Sequence, residues 1–401
     1  MQQGFFNRSE IEVIPSKTKG KELSCEGCGL YASCKSPKIK PYGNFAKGIL
    51  NIGSVPTSRE DQKGLPFQGR EGAHLTRTYK KCGVDLFEDC LNVYAIQCYT
   101  EVEPTQYQID CCALRLKKII EHYKPKVIVV FGQIALNSVI GSRWKKNLGS
   151  LTKWRGWMIP DQEYKAWICP VFDPETIVNS DKGIEEITWL KDLQQALPLI
   201  REPFPIYKEP KIDYIEDLSV LKKIKKEFAF DYETTGLKPH AKKHRVICCA
   251  IADNEDHAYA FMMPQTKSAM QPFLDLLEDE SIGKIAQNLK FEHVWSSVRL
   301  RTTVNNWVWD TMLASHILDN RAEITGLKFQ TYVQFGVIDY DSEVSPYLKA
   351  KDTAGSNSIN NIFSLIDDIN GVRTLLKYCA LDAVFELRLA NKQRELICLP
   401  F

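Results

Sequence analysis

The stretch Phe-Ala-Phe-Asp-Tyr-Glu-Thr-Thr-Gly-Leu, residues 228–237, decides the fold of the second half of the chain. Apolar residues alternate as far as Asp231 and Glu233, and Gly236 ends the run, which predicts a strand that enters a turn. Two carboxylates two residues apart on a strand point to the same face. On a buried face a divalent metal ion would neutralise them, whereas on an exposed face they would be two solvated acids.

Two later segments carry side chains that suit the same kind of site. Residues 284–293 predict a strand that leads into a helix, and residues 377–387 predict a helix. The candidate site residues of these segments are Asn288, Phe291, Glu292, Tyr378 and Asp382. A Tyr and an Asp that are four residues apart on a helix lie on one face. Between the two segments, Asp310 precedes a helical pattern and is expected to cap it.

The motifs D-x-E-T-T-G-L, N-L-K-F-E and Y-x-x-x-D, in this order, resemble those of the DEDDy 3′–5′ exonucleases, particularly the proofreading domain of family A DNA polymerases. The resemblance covers about residues 212–395 and implies a ribonuclease H-like fold with a mixed sheet. It implies that Asp231, Glu233 and Asp382 bind divalent metal ions and that Tyr378 orients the attacking water. Asn288 and Phe291 would contact DNA as parts of the second motif.

Phosphodiester hydrolysis explains why these residue types are needed. Two Mg²⁺ or Mn²⁺ ions roughly 3.5–4 Å apart neutralise the phosphate, activate the water and stabilise the leaving oxygen, and several carboxylates hold them. Glu292 stands where the family usually has Asp. Its additional methylene group leaves the rate and the metal preference open, and it keeps a non-enzymatic adaptor among the alternatives.

The first half of the chain contains a second possible metal site. Cys25 and Cys28 form a Cys-x-x-Cys pair, whose spacing brings two thiolates to one metal ion. Further ligands could come from Cys34, Cys98, Cys111 and Cys112. The spacing does not separate zinc from an iron–sulfur cluster, and redox chemistry is a third possibility.

Strands and helices alternate in this first half. Residues 48–53, 91–96 and 126–132 are predicted strands, and residues 109–123 show helical periodicity. This alternation predicts a three-layer α/β domain with a mostly parallel sheet.

Several blocks in this half resemble the family 4 uracil-DNA glycosylases. They are the Cys-x-x-Cys pair, the loop ending in Gly-Leu-Pro-Phe-Gln-Gly-Arg-Glu-Gly (64–72), the Cys98 and Cys112 segments and the strand at 124–132. The resemblance covers roughly residues 22–195 and implies a glycosylase-like α/β/α fold. It implies that Phe67 stacks on an extruded base. It also implies a [4Fe-4S] cluster, with zinc as the alternative, held by Cys25, Cys28, Cys98 and Cys112.

Three positions depart from that family. Ser54 stands where the family has the acid that handles the water, Tyr94 where it has the Asn that reads uracil, and Asp173 where it has a His. Base excision needs a pocket for the flipped base and groups that assist cleavage and water attack. We therefore expect a domain without glycosylase activity, and altered base-excision chemistry is the alternative.

Basic residues interleaved with tryptophans suggest that this domain holds DNA. The candidate DNA-binding residues are Arg143, Lys145, Lys146, Lys153 and Arg155. Cations beside indoles suit single-strand or backbone binding. A solvated basic loop whose tryptophans pack inward is an equally good interpretation.

The sequence as a whole predicts a glycosylase-like domain at 1–195, a proline-rich linker at 196–211 and an exonuclease domain at 212–401. The first residues, Met-Gln-Gln-Gly-Phe-Phe, lack a signal-peptide pattern, and no apolar run reaches membrane-spanning length. We expect a cytoplasmic protein, in the host cytoplasm if it is phage-encoded. Since the chain ends shortly after the exonuclease-like region, we also expect a family A polymerase as a separate partner chain. A standalone exonuclease, a truncated protein and an RNA-trimming enzyme are the alternatives.

Overall fold

The computed structural model describes residues 23–180, 183–349 and 358–397. The first six residues, which lack a signal-peptide pattern, lie outside this described part. The chain forms two compact units. The first contains residues up to Tyr207 together with Tyr332–Asp339, and the second contains Lys208–Thr331 and the residues from Tyr340 onward. The sequence did not anticipate that Tyr332–Asp339 groups with the first unit, and the exact domain limits stay a prediction.

The first unit is built on a five-stranded sheet with the strand order β2-β1-β3-β5-β4. The strands are β1 (Ile49–Gly53), β2 (Cys90–Tyr94), β3 (Val127–Phe131), β4 (Ile159–Asp161) and β5 (Ala166–Val171). All neighbours pair in parallel except β4 and β5, which confirms the predicted, mostly parallel α/β sheet.

The helices of the first unit come before, between and after these strands. They are α1 (Cys25–Cys28), α2 (Ser58–Lys63), α3 (Arg70–Lys81), α4 (Gln106–Tyr123), α5 (Gly132–Leu136), α6 (Leu151–Trp154), α7 (Pro174–Asn179) and α8 (Gly183–Ala196). Every residue of β3 is buried, as its unbroken apolar run predicts. One face of the sheet packs in a hydrophobic cluster with Leu75 of α3 and Trp189 of α8.

The second unit has a mixed six-stranded sheet with the order β11-β10-β7-β8-β9-β6. The strands are β6 (Lys211–Tyr214), β7 (Phe228–Thr234), β8 (Val246–Asn254), β9 (His257–Met262), β10 (Lys284–Ala286) and β11 (Trp307–Asp310). The strands β7, β8 and β9 form an antiparallel meander, and β10 pairs in parallel with β7. Between β6 and β7 the chain forms a short 3-10 helix at Leu218–Lys223.

Helices complete the second unit. They are α9 (Lys267–Glu278), α10 (Lys290–Trp295), α11 (Thr311–Leu318), α12 (Leu327–Phe335, whose residues from Tyr332 group with the first unit), α13 (Ile362–Ile366) and α14 (Gly371–Ile397). The long helix α14 packs against β7 and β8, so its buried face lies over the strand that carries the D-x-E motif. Within the described part of the chain, no helix combines the length and the apolar character that a membrane crossing requires.

Candidate active site, cysteine cluster and glycosylase-like pocket

The two acids of β7 lie together, as their spacing predicts. Carboxylate oxygens of Asp231 and Glu233 and the sulfur of Cys379 on α14 are all within 4.8 Å of one another. Burial and the nearby Asp382 carboxylate raise the pKa of Asp231 well above its usual value, and burial and Asp231 do the same for the pKa of Glu233. Glu233 is buried and Asp231 is partly exposed, and a cation beside them would stabilise their ionised form.

Helix α14 presents Tyr378 and Asp382 to the same region. Both side chains are buried, and their spacing of four residues places them on one face of the helix. Oδ1 of Asp382 accepts hydrogen bonds from the Tyr340 hydroxyl at 2.6 Å and from the Lys328 ammonium. The Lys328 ammonium also lies 4.3 Å from the ring centroids of both Tyr340 and Tyr378.

Lys328 and Tyr340 were not expected at this site from the sequence. Lys328 belongs to α12, and Tyr340 follows it in a loop, so both are distant in sequence from the motifs that they contact. The lysine balances one of the clustered carboxylates by direct contact. The sequence does offer one signal that Lys328 is unusual. It is the charged residue of a helix whose other residues are apolar or uncharged, Leu-Lys-Phe-Gln-Thr-Tyr-Val-Gln-Phe.

The second motif forms a turn whose geometry is fixed by Asp310. Asn288 has a left-handed backbone with φ of 62°, and its N–H and that of Leu289 donate to the Asp310 carboxylate at 3.1 and 3.0 Å. The same carboxylate accepts from the N–H groups of Met312 and Leu313 and so caps α11, as predicted. Asp310 therefore supports the turn that leads into α10.

Glu292 lies on α10 and points into the protein. It is 2% exposed, and its Oε2 has no hydrogen-bond partner among the described residues. Burial and Asp231 raise the pKa of Glu292 well above its usual value, which places this carboxylate within electrostatic reach of the β7 acids. Phe291 packs against Trp295, with the ring centroids 5.9 Å apart. The roles of Glu292 in catalysis and of Asn288 and Phe291 in DNA binding stay predictions.

A fifth acid, Glu386, also lies in this region, and the sequence analysis did not select it. Its side chain is 1% exposed, and burial, Asp231, Glu292 and Asp382 raise its pKa, in that order of effect. It is a single charge within the buried run Ala-Val-Phe-Glu-Leu of α14. That isolated charge, four residues after Asp382, was the signal that could have identified it.

The donor set fits a hard divalent cation. Oxygen ligands from carboxylates are what Mg²⁺ and Mn²⁺ prefer, and in this cluster the acids outnumber the one contacting cation described here, Lys328. Cys379 is a thiol whose pKa burial raises well above its usual value, and it donates to the main-chain oxygen of Asp231 at 3.3 Å. The carboxylates are therefore the groups suited to hold a metal ion here.

The four cysteines chosen from the sequence line one pocket in the first unit. Cys25, Cys28, Cys98 and Cys112 face it, and Cys111 does so as well. The short helix α1 is capped by Ser24 and holds the Cys-x-x-Cys pair. Burial raises the pKa of Cys28 and Cys98 and raises that of Cys112 to about 11. Thiols converging in one pocket suit a thiophilic metal centre, which would hold them as thiolates.

The resemblance to the glycosylases implies a base pocket at Phe67 and Tyr94, and here both side chains are buried. Tyr94 is 4% exposed, its ring lies 5.3 Å from that of Phe67, and its hydroxyl accepts the Phe67 N–H at 3.1 Å. A Cβ atom at Gly53 would lie 2.7 Å from the Tyr94 ring, so the tyrosine packs tightly against β1. Phe67, 6% exposed, is covered.

The other two departures from the glycosylase pattern contact each other. The Ser54 hydroxyl lies 2.7 Å from Oδ2 of Asp173 and 2.9 Å from the main-chain oxygen of Phe131. A hydroxyl has one proton, so both contacts are satisfied when Asp173 is protonated and donates to Ser54. Burial raises the pKa of Asp173, which favours that form. Asp173 also caps α7 through the Glu175 N–H.

Trp144 and Trp154 of the basic segment are buried, so these two indoles do not form the stacking surface that the sequence suggested. Trp144 and Trp154 are 8% and 0% exposed, and their ring centroids lie 5.2 Å apart. Trp144 also packs against Tyr332, at 5.8 Å. These indoles belong to the core of the first unit, because their apolar area is better buried than exposed to water. The inward-packing alternative is correct for this pair.

Two of the predicted DNA-binding residues are engaged in ion pairs within the first unit. Nη1 of Arg143 lies 2.7 Å from Oδ2 of Asp161, and the arginine side chain is 11% exposed. Arg155 pairs with buried Asp192 at 3.0 Å. These ion pairs reduce the positive charge that the two arginines offer to phosphates. A role in DNA binding stays a prediction for all five basic residues: Arg143, Lys145, Lys146, Lys153 and Arg155.

The two halves of the chain match two protein families. Residues 40–194 match the uracil DNA glycosylase superfamily, and residues 211–397 match the 3′–5′ exonuclease family. The chain thus contains a glycosylase superfamily domain followed by a ribonuclease H-like 3′–5′ exonuclease domain, as the motifs predicted. An exonuclease domain of this family implies divalent metal ions and nucleic-acid binding.

Individual relatives match each part. The type-4 uracil-DNA glycosylase of Thermotoga maritima is 26% identical over 200 residues, which is 49% of this chain and 98% of the relative. The DNA polymerase of Bacillus phage SP01 is 23% identical over 330 residues, 72% of this chain and 34% of the polymerase. The chain therefore matches about a third of that polymerase. The alignment with a solved structure of Brucella melitensis NrnC with bound Mg²⁺ covers 47% of this chain and 83% of the NrnC chain, at 19% sequence identity. Its TM-score of 0.33 is too low to support an inference.

Proposed function

We propose that this protein is a Mg²⁺- or Mn²⁺-dependent 3′–5′ DNA exonuclease that proofreads for a family A DNA polymerase. The observation that carries the proposal is the convergence of acids from β7, α10 and α14 on one buried region that also contains Tyr378. The match to a phage DNA polymerase supports the assignment to replication.

The residues present divide the work of phosphodiester hydrolysis between them. Asp231, Glu233 and Asp382 would hold two divalent ions, with Glu292 as a further carboxylate. When bound, such ions neutralise the phosphate and stabilise the charge that develops on the attacking and leaving oxygens. Burial raises the pKa of Tyr378 well above its usual value, so the phenol keeps its proton and orients the attacking water by hydrogen bonding.

Lys328 would stabilise the site before and during the reaction. Its ammonium contacts the Asp382 carboxylate and lies over the Tyr378 ring. A cation held there offsets the repulsion among the acids and keeps the phenol in place. The lysine is thus a positioning residue that acts through Asp382 and Tyr378.

The test of this proposal is degradation of DNA that is labelled at its 5′ end, which shows shortening from the 3′ end as a ladder. We expect Mg²⁺-dependent shortening that stops in EDTA. Asp231→Ala should lower the initial rate by about 1,000-fold, because removing a carboxylate weakens the hold on the catalytic ions. Glu280→Ala, which removes an exposed acid of the same unit, is the matched control and should retain the rate. Full activity of Asp231→Ala would show that this site is not the nuclease centre.

The substrate and the polymerase partner need a second experiment. Matched and mismatched primer–templates, and RNA of the same sequence, are compared with and without a family A polymerase. A proofreading enzyme should shorten mismatched DNA primers faster than matched ones, and added polymerase should protect the matched primer. Faster shortening of RNA than of DNA would favour an RNA-trimming enzyme and contradict the proposal.

For the first unit we propose a domain without glycosylase activity that holds DNA or docks the polymerase and contains a [4Fe-4S] cluster on Cys25, Cys28, Cys98 and Cys112. The filled base pocket and the Ser54–Asp173 contact support the loss of activity. The cysteine-lined pocket and the similarity to type-4 glycosylases support the cluster. Protein purified without oxygen should be brown and absorb near 400 nm. Colourless protein with one bound zinc would contradict the cluster.

A further inference from the structure

Glu386 is an acid that neither the motifs nor the proposed reaction uses. It follows Asp382 by four residues on α14, so the two side chains share a face of the helix. That face packs on β7, the strand that carries Asp231 and Glu233. Both Glu386 and Asp382 are buried, at 1% and 5% exposure.

One carboxylate oxygen of Glu386 is unsatisfied. The backbone of Gln287, the residue before the second-motif turn, lowers the pKa of Glu386 against the effects that raise it. Its Oε2 is fully buried and has no partner among the described residues, and the same holds for Oε2 of Glu292. A buried carboxylate oxygen is stable only when a donor or a cation satisfies it. The chain itself supplies no such group in its described part.

The charges around Glu386 show what could satisfy that oxygen. The residues that act on Glu386 electrostatically are Asp231, Glu292 and Asp382, all of them acids. The cation that contacts this acid cluster is Lys328, which is bonded to Asp382. Five carboxylates with one lysine leave four negative charges when all are ionised, a charge that two divalent cations balance.

We propose that Glu386 is a fifth carboxylate of the divalent-metal site and holds a metal ion through Oε2. The inference rests on the proposed function, since it takes the acid cluster to be the metal centre. Its rival is a purely structural role, in which Glu386 serves the packing of α14 and contributes nothing to metal binding.

Glu386→Gln separates these roles because glutamine retains the shape of the side chain and removes its charge. Mg²⁺ or Mn²⁺ is titrated into the DNA-free protein by calorimetry, and the midpoint of thermal unfolding is measured in EDTA. We expect the metal Kd to rise by about 10-fold or more. The midpoint in EDTA should stay the same or rise, since a like charge is lost from the cluster. The control is Glu395→Gln, which changes an exposed acid on the same helix. This variant should bind the metal as the unmodified protein does.

The opposite result overturns the proposal. If Glu386→Gln binds metal as tightly as Glu395→Gln, Glu386 is structural, whatever its effect on the midpoint. If Glu386→Gln does not fold, Glu386→Asp is titrated in its place, where a raised Kd supports metal binding and an unchanged Kd contradicts it. The titration contains no DNA, so it remains informative if 3′-end degradation fails, and only that failure would overturn the proposed function.

Discussion

The base pocket of the first unit and the acid cluster of the second differ in how their polar groups are satisfied. In the pocket, Ser54 and Asp173 bond to each other and the Tyr94 hydroxyl bonds to the Phe67 backbone. In the cluster, Glu292 and Glu386 each leave a buried oxygen without a described partner. Buried polar groups that bond to one another are satisfied without a ligand, whereas buried groups that lack a partner within the protein are candidates for binding a substrate or metal.

The two regions also differ in what they could accept from outside. Polar atoms that are paired internally have no need of a ligand, and under the proposed loss of glycosylase activity the buried Tyr94 takes the space that a flipped base would require. Carboxylates that repel one another are costly unless a cation joins them. The substitutions below test this difference between the two regions, in decreasing order of expected effect.

Lys328→Met removes the ammonium that contacts the acid cluster. In EDTA we expect the second unit to lose about 3 kcal/mol of its free energy of unfolding, because an uncompensated buried carboxylate remains at Asp382. Saturating Mg²⁺ should restore part of this loss. Hydrogen exchange of peptides from β7 and α14 measures it, with exposed Lys267→Met as the control. Equal exchange in the two variants would mean that the cluster does not need the lysine.

Tyr378→Phe removes the phenol and retains the ring. We expect the initial rate of 3′-end degradation to fall by about 30-fold, or about 2 kcal/mol in the barrier, because the attacking water loses its hydrogen bond. Metal affinity should stay the same, since the phenol is not a ligand in this account. Tyr259→Phe, on a strand of the same sheet, serves as the control. An unchanged rate would rule out the positioning role.

Tyr94→Phe tests whether the polar groups of the base pocket depend on hydrogen bonds within the first unit. The variant leaves the buried Phe67 N–H without its acceptor, so we expect the first unit to lose about 1.5 kcal/mol. Hydrogen exchange of β2 peptides reports this loss of stability. The control is Tyr123→Phe, which changes a partly exposed side chain and should cause almost no loss of stability. If Tyr94→Phe is neutral, water already satisfies the pocket and the contrast with the acid cluster weakens.

Asp173→Asn gives the smallest effect and a defined dependence on pH. Because burial raises the pKa of Asp173, its stabilising contribution is present at low pH and is lost as pH rises through the raised value. Asparagine mimics the protonated acid, so the variant should be more stable near pH 7, by less than about 1 kcal/mol, and equal near pH 4.

Asp85→Asn should behave in the opposite way. The N–H groups of Glu88 and Phe87 lower the pKa of Asp85, so its contribution is present above the unfolded value and is lost as pH falls. This variant should therefore be less stable near pH 7, and the difference should disappear in acid. Thermal melts across the pH range follow both variants. The same sign for both would contradict the protonated Ser54–Asp173 pair.

The sequence could predict those parts of the site that depend on local patterns. The alternation before Asp231 predicts β7, and the spacing of Tyr378 and Asp382 predicts one helical face. Each of these motifs lies within one strand or one helix, so the backbone period of that element decides which of its side chains share a face. The parallel sheet of the first unit was predictable for the same reason, from its runs of buried apolar residues.

The remainder depends on contacts between distant segments. Nothing near Lys328 in sequence indicates that it meets Asp382, which is 54 residues away. Basic residues and tryptophans were read as a binding surface, yet Arg143 pairs with Asp161 and Trp144 packs on Tyr332. Burial of an arginine or an indole is decided by partners far along the chain, which periodicity does not reveal.

One substrate can test both regions together. A DNA strand with an internal uracil and a 5′ label is incubated with the protein and Mg²⁺, and half of each sample is then treated with alkali. The account predicts stepwise shortening from the 3′ end, absent in Asp231→Ala, and no alkali-dependent break at the uracil, beside an active glycosylase control. A break at the uracil, or shortening that persists in Asp231→Ala, would contradict the claim that catalysis resides in the acid cluster.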